Sequence, residues 1–299
     1  MIVRLFSLIL LVLLGLNSCK QDSKLNDPKL LALEQEFEKN PSESNYDKLI
    51  TNYLELMQSK QLDQESIRQI LIKGATASEK INKKDQQIIF LNNLIKEYPD
   101  ASENKDYLAK MVALLKESNK TQASDVLALS LKKAYPSDPK AIEIIISRPE
   151  ITTPEAYILE IGKSIFSDTT KGFNEQNAMV YVDACEAYAL ALPKDPETPE
   201  YIFKAAETSN TLRTYDKSFA LYDWVIERYP EHKRAPMCLF MKAFLFDGTL
   251  KDTANAKKYY QEFITKYPQN DFAKDARILL DNVGKSDEEV LENLMKKNK

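Results

Sequence analysis

Residues 218–230 read SFALYDWVIERYP, and residues 256–268 read AKKYYQEFITKYP. Both stretches place a small residue 12 positions before a proline and a tyrosine 8 positions before it. The residues concerned are Ser218 and Tyr222 in the first stretch, and Ala256 and Tyr260 in the second. A small residue lets two helices approach closely, and a proline ends a helix because it has no N–H. We therefore predict two similar helices, each ended by a Tyr-Pro pair.

This spacing is the second-helix pattern of a tetratricopeptide repeat, A-x3-F followed by P. The stretch before each predicted helix fits the first-helix pattern more loosely. The matching positions are Ile202, Ala206 and Ser209 in one repeat, and Leu239, Ala243 and Phe246 in the next. A helix pair of this kind cannot bury its apolar face alone, so it stacks on neighbouring pairs.

The prolines give the period of the array. Pro99 and Pro136 are 37 residues apart, Pro193 and Pro230 are 37 apart, and Pro230 and Pro268 are 38 apart. We therefore predict helix pairs over 28–60, 63–98 and 101–135, before the two pairs described above. The fold class is an all-α, tetratricopeptide-like solenoid of helical hairpins (an α-α superhelix) with a C-terminal capping helix.

The interval from Pro136 to Pro193 is 57 residues, which is 20 more than its neighbours. The excess predicts an added helix within 142–177 that divides the array into two halves. The predicted domains are N-terminal degenerate helical repeats over 28–148, and tetratricopeptide repeats with the capping helix over 149–299.

The C-terminal end of the array is predicted to be a lone helix over 270–283 and a short helix after it. Ser286 and Glu289 form a capping box for the short helix. Its apolar face consists of Val290, Leu291, Leu294 and Met295. We interpret this helix as the cap that a terminal repeat requires; the alternative is a helix that docks on a partner.

The N-terminal 18 residues have the pattern of a signal peptide. Arg4 supplies the positive charge and Leu5 to Leu16 supply an apolar run, which is shorter than the roughly 20 residues of a spanning helix. The run ends in Leu16-Asn17-Ser18-Cys19, which resembles the lipobox of bacterial lipoproteins, and this resemblance implies lipidation of Cys19. Residues 19–27 are then a polar tether. The alternative is an ordinary cleaved signal in which the cysteine is incidental.

Composition narrows the function classes. The chain has 299 residues, only six glycines and 43% hydrophobic residues, which favours a helical protein with a packed core. Its formal net charge is −4, and −5 without residues 1–18. Because there is no excess of positive charge, we do not expect nucleic acid as a partner.

No arrangement of residues predicts catalysis. His232 is the single histidine and has no cysteine near it in sequence, so no metal site and no cofactor are expected. Gly162-Lys163-Ser164 resembles the end of a phosphate-binding loop, but Tyr157 stands where the loop requires glycine. Cys185 and Cys238 are interpreted as two buried free thiols, with a disulfide as the alternative. We therefore expect that the protein is not an enzyme.

A lipidation signal followed by repeats that end in Tyr-Pro resembles the tetratricopeptide lipoproteins of the Gram-negative envelope, of the outer-membrane assembly and Tol–Pal coordinator types. The coordinator type begins with a trimerising coiled coil, and residues 28–60 show no sustained heptads. The resemblance implies a lipid-anchored adaptor of the outer membrane that faces the periplasm and binds an envelope protein or peptide. The alternative is a surface lipoprotein that captures glycans or nutrients, which a glycan-binding assay would distinguish.

The resemblance also implies which residues contact a partner, because the first helix of each repeat lines the binding groove in this family. The corresponding apolar strip consists of Phe203, Met237, Phe240 and Phe244, and it is edged by acids that include Glu207. Such a strip suits a peptide with apolar anchors and some positive charge. In the alternative interpretation these aromatic side chains touch a neighbouring helix and belong to the core.

Overall fold

The computed structural model of the chain describes residues 24–59, 61–167, 172–285 and 288–289. Within these residues the secondary structure is fourteen α-helices and one short 3-10 helix, and no β-strand occurs. The predicted all-α class is confirmed. The predicted signal peptide, Cys19, Ser286 and the apolar face from Val290 to Met295 lie outside the described residues.

The chain forms two compact units, one ending at Lys194 and one beginning at Asp195. Nine helices belong to the N-terminal unit: α1 (Pro28–Lys39), α2 (Glu43–Gln58), α3 (Gln64–Lys80), α4 (Lys84–Glu97), α5 (Asn104–Glu117), α6 (Thr121–Ala134), α7 (Pro139–Glu143), α8 (Pro154–Ser164) and α9 (Glu175–Ala191). Each of α1 to α6 packs on the next helix in the chain, and α8 and α9 both pack on α6.

The observed division of the chain differs from the one that the proline spacing predicts. We predicted a division after residue 148, whereas α8 and α9 pack on α6 and so belong with the N-terminal helices. The chain reaches α8 through an extended segment that is held on α6. The buried carboxylate of Asp125 on α6 accepts hydrogen bonds from the backbone N–H of Ser147 at 3.0 and 3.1 Å.

The C-terminal unit contains five helices among its described residues: α10 (Thr198–Thr211), α11 (Tyr215–Arg228), α12 (Arg234–Gly248), α13 (Thr253–Lys266) and α14 (Ala273–Asn282). They pack in chain order as two hairpins, α10/α11 and α12/α13, followed by α14. We call α10, α12 and α14 the first helices and α11 and α13 the second helices. The predicted lone helix over 270–283 is α14.

The repeat pattern places the predicted residues in the core of the C-terminal unit. The small residues Ala206, Ser218, Ala243 and Ala256 are fully buried, as are the aromatic residues Tyr222, Tyr260 and Phe263. The second helices have Tyr229 and Tyr267 as their C-cap residues, directly before prolines. In the N-terminal unit, α4 and α6 likewise have Tyr98 and Tyr135 as C-cap residues, each directly before a proline. The predicted helix ends are therefore confirmed.

Three hairpins share a three-residue turn, and the turn between α12 and α13 is one residue longer. The residue two positions before the next helix has a positive φ in all four: 57° at Asn82, 60° at Asn119, 58° at Arg213 and 56° at Lys251. Glycine is the residue that takes this left-handed conformation without a steric penalty. None of the four is glycine, so the turns are formed at a cost in conformational energy.

A buried ion pair joins the two hairpins of the C-terminal unit. The ammonium group of Lys242 on α12 lies 2.6 and 2.9 Å from the two carboxylate oxygens of Asp223 on α11. The same ammonium group lies 4.3 Å from the centre of the Tyr259 ring on α13. Removing either Lys242 or Asp223 would leave an uncompensated buried charge. The contact therefore favours one alignment of α11, α12 and α13.

Candidate functional site

Half-buried and exposed side chains that recur every three or four residues along α10 and α12 form a surface of the C-terminal unit, which we call the first-helix face. It consists of Glu200, Phe203, Glu207, Asn210, Met237, Phe244 and Asp247, all half-buried except Phe244, which is exposed. The helical repeat produces this face, because residues three and four apart lie on the same side of a helix.

Phe203 lies on α10 beneath an arginine from the next first helix. The guanidinium group of Arg234 is 4.4 Å from the centre of the Phe203 ring, and its Nε donates to Glu200 at 2.9 Å. Lys233 lies 3.0 Å from the other carboxylate oxygen of Glu200. This part of the first-helix face is therefore already occupied by cations of the chain itself.

Phe240 and Phe244 lie four positions apart on α12 but have different surroundings. Phe240 is only 9% exposed, and its ring contacts Tyr260, Phe263 and Phe272 with centroid distances of 6.1, 5.5 and 5.2 Å. Phe240 is thus a core residue, as in the alternative interpretation of the aromatic strip. Phe244 stacks on Phe240 at 6.4 Å and is 45% exposed.

Two of the three carboxylates of the face, Glu207 and Asp247, accept hydrogen bonds from buried tyrosines of the second helices. Tyr222 on α11 donates its hydroxyl to Glu207, and Tyr260 on α13 donates to Asp247 at 3.4 Å. Burial, and then the nearby carboxylate, raise the pKa of both tyrosines well above the ordinary value. Both phenols therefore stay protonated at neutral pH and remain donors.

The predicted partner-binding residues are thus only partly brought together. Phe244, Met237 and Glu207 contribute to an accessible or half-accessible face, Phe203 is covered by Arg234, and Phe240 is buried. The tyrosine donors behind the carboxylates were missed, since the sequence pattern treats position 8 before the proline as a packing residue. Ile278 on α14 was also missed. It lies ten residues after Pro268, as Phe240 lies ten after Pro230, and is 45% exposed.

Other residues considered from the sequence have structural roles. Nδ1 of His232 accepts from the backbone N–H of Arg234 at 3.3 Å in the turn before α12. Gly162, Lys163 and Ser164 lie within α8 and form no loop. Both Cys185 and Cys238 are buried free thiols in the structure, and burial raises the pKa of Cys238 above its ordinary value.

The described part of the chain was also considered for metal ligands and for membrane-spanning helices. No group of three or more histidine, cysteine, aspartate or glutamate side chains there is arranged to hold a metal ion. Among the same residues, no helix combines the length and apolar character needed to cross a bilayer.

A family model described as tetratricopeptide repeat matches residues 237–270, which comprise most of α12, all of α13 and the Tyr-Pro that follows. No curated protein matches the chain significantly. The stacked hairpins and this match define the C-terminal unit as a tetratricopeptide-type helical repeat, a fold that commonly presents binding surfaces for other proteins.

Proposed function

We propose that the protein is a membrane-anchored, non-catalytic adaptor that binds another protein at the bacterial cell envelope. The observation that carries the proposal is Phe244, an aromatic side chain that stays 45% exposed on the first-helix face. Aromatic residues commonly dominate the energy of protein interfaces. On a repeat fold, an exposed aromatic beside ordered carboxylates supports a role in recognition more than one in stability.

The location and the anchor rest on the N-terminal sequence. The apolar run from Leu5 to Leu16 and the Asn17-Ser18-Cys19 sequence support lipid attachment at Cys19. An anchor of this kind, in the outer membrane and facing the periplasm, would keep the repeats beside envelope partners. Lipoproteins carry more than one acyl chain, which is required because a single chain binds membranes only marginally.

Site-specific photocrosslinking in cells tests the proposal. A benzoylphenylalanine is placed at position 244 on the first-helix face or, as the control, at Gln261, which is exposed on the second helix α13. We expect a discrete crosslinked protein from position 244 and none from position 261. Equal yields from both positions would contradict the assignment of the binding face. Crosslinks from position 261 alone would indicate that the partner binds the second helices instead.

A further inference from the structure

Tyrosine–carboxylate pairs recur in the fold. In four helix pairs, a tyrosine hydroxyl on the later helix donates to a carboxylate on the earlier helix. The pairs are Tyr53 with Glu34, Tyr188 with Glu155, Tyr222 with Glu207, and Tyr260 with Asp247. The donor orients the carboxylate and leaves a second, outward acceptor direction for another group.

In the N-terminal unit a lysine of the chain fills this outward position. The ammonium group of Lys73 lies 2.8 and 3.1 Å from the carboxylate oxygens of Glu34. Lys133 lies 2.6 Å from Glu155 and 3.2 Å from the hydroxyl of Tyr188. In two of the four pairs, therefore, the carboxylate binds the ammonium group of a lysine of the chain itself.

In the C-terminal unit the same kind of pair has no such ligand. Glu207 and Asp247 make no ion pair with any lysine or arginine of the described residues, and their side chains are half-buried. A third cation site of the chain lies on the same face, where Arg234 binds Glu200 and covers Phe203. One carboxylate of the first-helix face, Glu200, therefore already binds cations of the chain itself.

We propose that the first-helix face of the C-terminal unit takes a lysine-bearing peptide segment, with Glu207 and Asp247 each binding one ammonium group beside Phe244. The inference rests on the proposed function, and it adds the chemistry of the partner. Adjacent helices lie about 8–10 Å apart, and an extended chain advances roughly 3.3 Å per residue. The two lysines are therefore expected about two or three residues apart in an extended segment.

The test selects random twelve-residue peptides displayed on phage against the full chain. We expect the selected peptides to be enriched in lysine or arginine over the starting library. Acetylation of the lysines in the most enriched peptide removes their charge, and we expect it to weaken binding about tenfold or more.

The matched variants are E207Q/D247N and, as the control, E262Q/D271N. Both doubles remove two negative charges, but Glu262 and Asp271 are exposed and away from the tyrosine–carboxylate pairs. We expect the first double to weaken binding of the lysine peptide about tenfold or more and the second to leave it unchanged. Circular dichroism checks the fold, and the single variants E207Q and D247N replace the double if it unfolds.

Two results would overturn the inference: selected peptides without enrichment of basic residues, or lysine peptides that bind E207Q/D247N as tightly as wild type. If peptides without basic residues are selected and F244A abolishes their binding, the proposed function stands and only the lysine chemistry fails. If no peptide is selected at all, the result counts against the proposed function and therefore against the inference as well.

Discussion

At the scale of the residue, Phe240 and Phe244 look alike in the sequence pattern but have different roles in the structure. Phe240 is enclosed by three aromatic rings of the same unit, whereas Phe244 touches Phe240 on one side and solvent on the other. A large-to-small change at a buried aromatic costs the transfer free energy and leaves a cavity. At the exposed position only a small part of that cost applies.

We therefore expect Phe240→Ala to lower the free energy of unfolding by about 3–5 kcal/mol, and Phe244→Ala to lower it by less than about 1 kcal/mol. Trp224, the single tryptophan of the chain, is buried in α11, so its fluorescence follows unfolding of the C-terminal unit in urea. Equal losses at the two positions would show that Phe244 is also a core residue.

Part of the site was predictable from single residues and part was not. The family resemblance, carried onto the first-helix register set by Leu239 and Ala243, predicted Phe244 and Glu207 as residues of a binding groove. It did not separate Phe240 from them, because the burial of Phe240 depends on tertiary contacts with Tyr260, Phe263 and Phe272. The tyrosine–carboxylate pairs join residues 13 to 33 positions apart, and no local pattern specifies such a hydrogen bond.

At the scale of the element, the prolines and the small residues predicted the helices well, because each acts on the local backbone or on one close contact. The hairpin turns were not predicted, since their left-handed residues are Asn82, Asn119, Arg213 and Lys251 rather than glycine. The extension between Pro136 and Pro193 was located by its length, but its packing on α6 depends on tertiary contacts such as Asp125 with Ser147.

The turn between α10 and α11 offers a test at this scale. Arg213 is exposed and has a φ of 58°, where a side chain costs about 1 kcal/mol relative to glycine. Arg213→Gly should therefore stabilise the C-terminal unit by about 1 kcal/mol, measured through Trp224 fluorescence, while Arg213→Ala should give no such gain. A glycine variant no more stable than the alanine variant would argue against the left-handed turn.

At the scale of the whole molecule, a tetratricopeptide-type unit follows a sequence with the pattern of a lipid-anchored export signal. The repeat architecture was predictable because its period appears in the spacing of prolines. The partner was not predictable, since recognition depends on which carboxylates and aromatic rings remain uncovered after packing. That information is in the three-dimensional arrangement of α10, α12 and their tyrosine donors.

The anchor is tested separately from the binding face. Cells that express the chain with its own signal are labelled with palmitate, and Cys19→Ala is compared with wild type. We expect the label to be lost in the variant, because the thiol of Cys19 is the proposed attachment point. Label that persists in Cys19→Ala would refute lipidation at this residue, whereas the binding face would be unaffected by that result.

The central claim is that the C-terminal unit binds a protein through its first-helix face. The most direct measurement is the affinity of the crosslinked partner for the purified full chain, compared among wild type, Phe244→Ala and Gln261→Ala. We predict that Phe244→Ala weakens binding about tenfold or more, as for an interface aromatic, with unfolding in urea nearly unchanged, and that Gln261→Ala binds as wild type does. Unchanged affinity in a folded Phe244→Ala protein, or an equal loss in Gln261→Ala, would contradict the account.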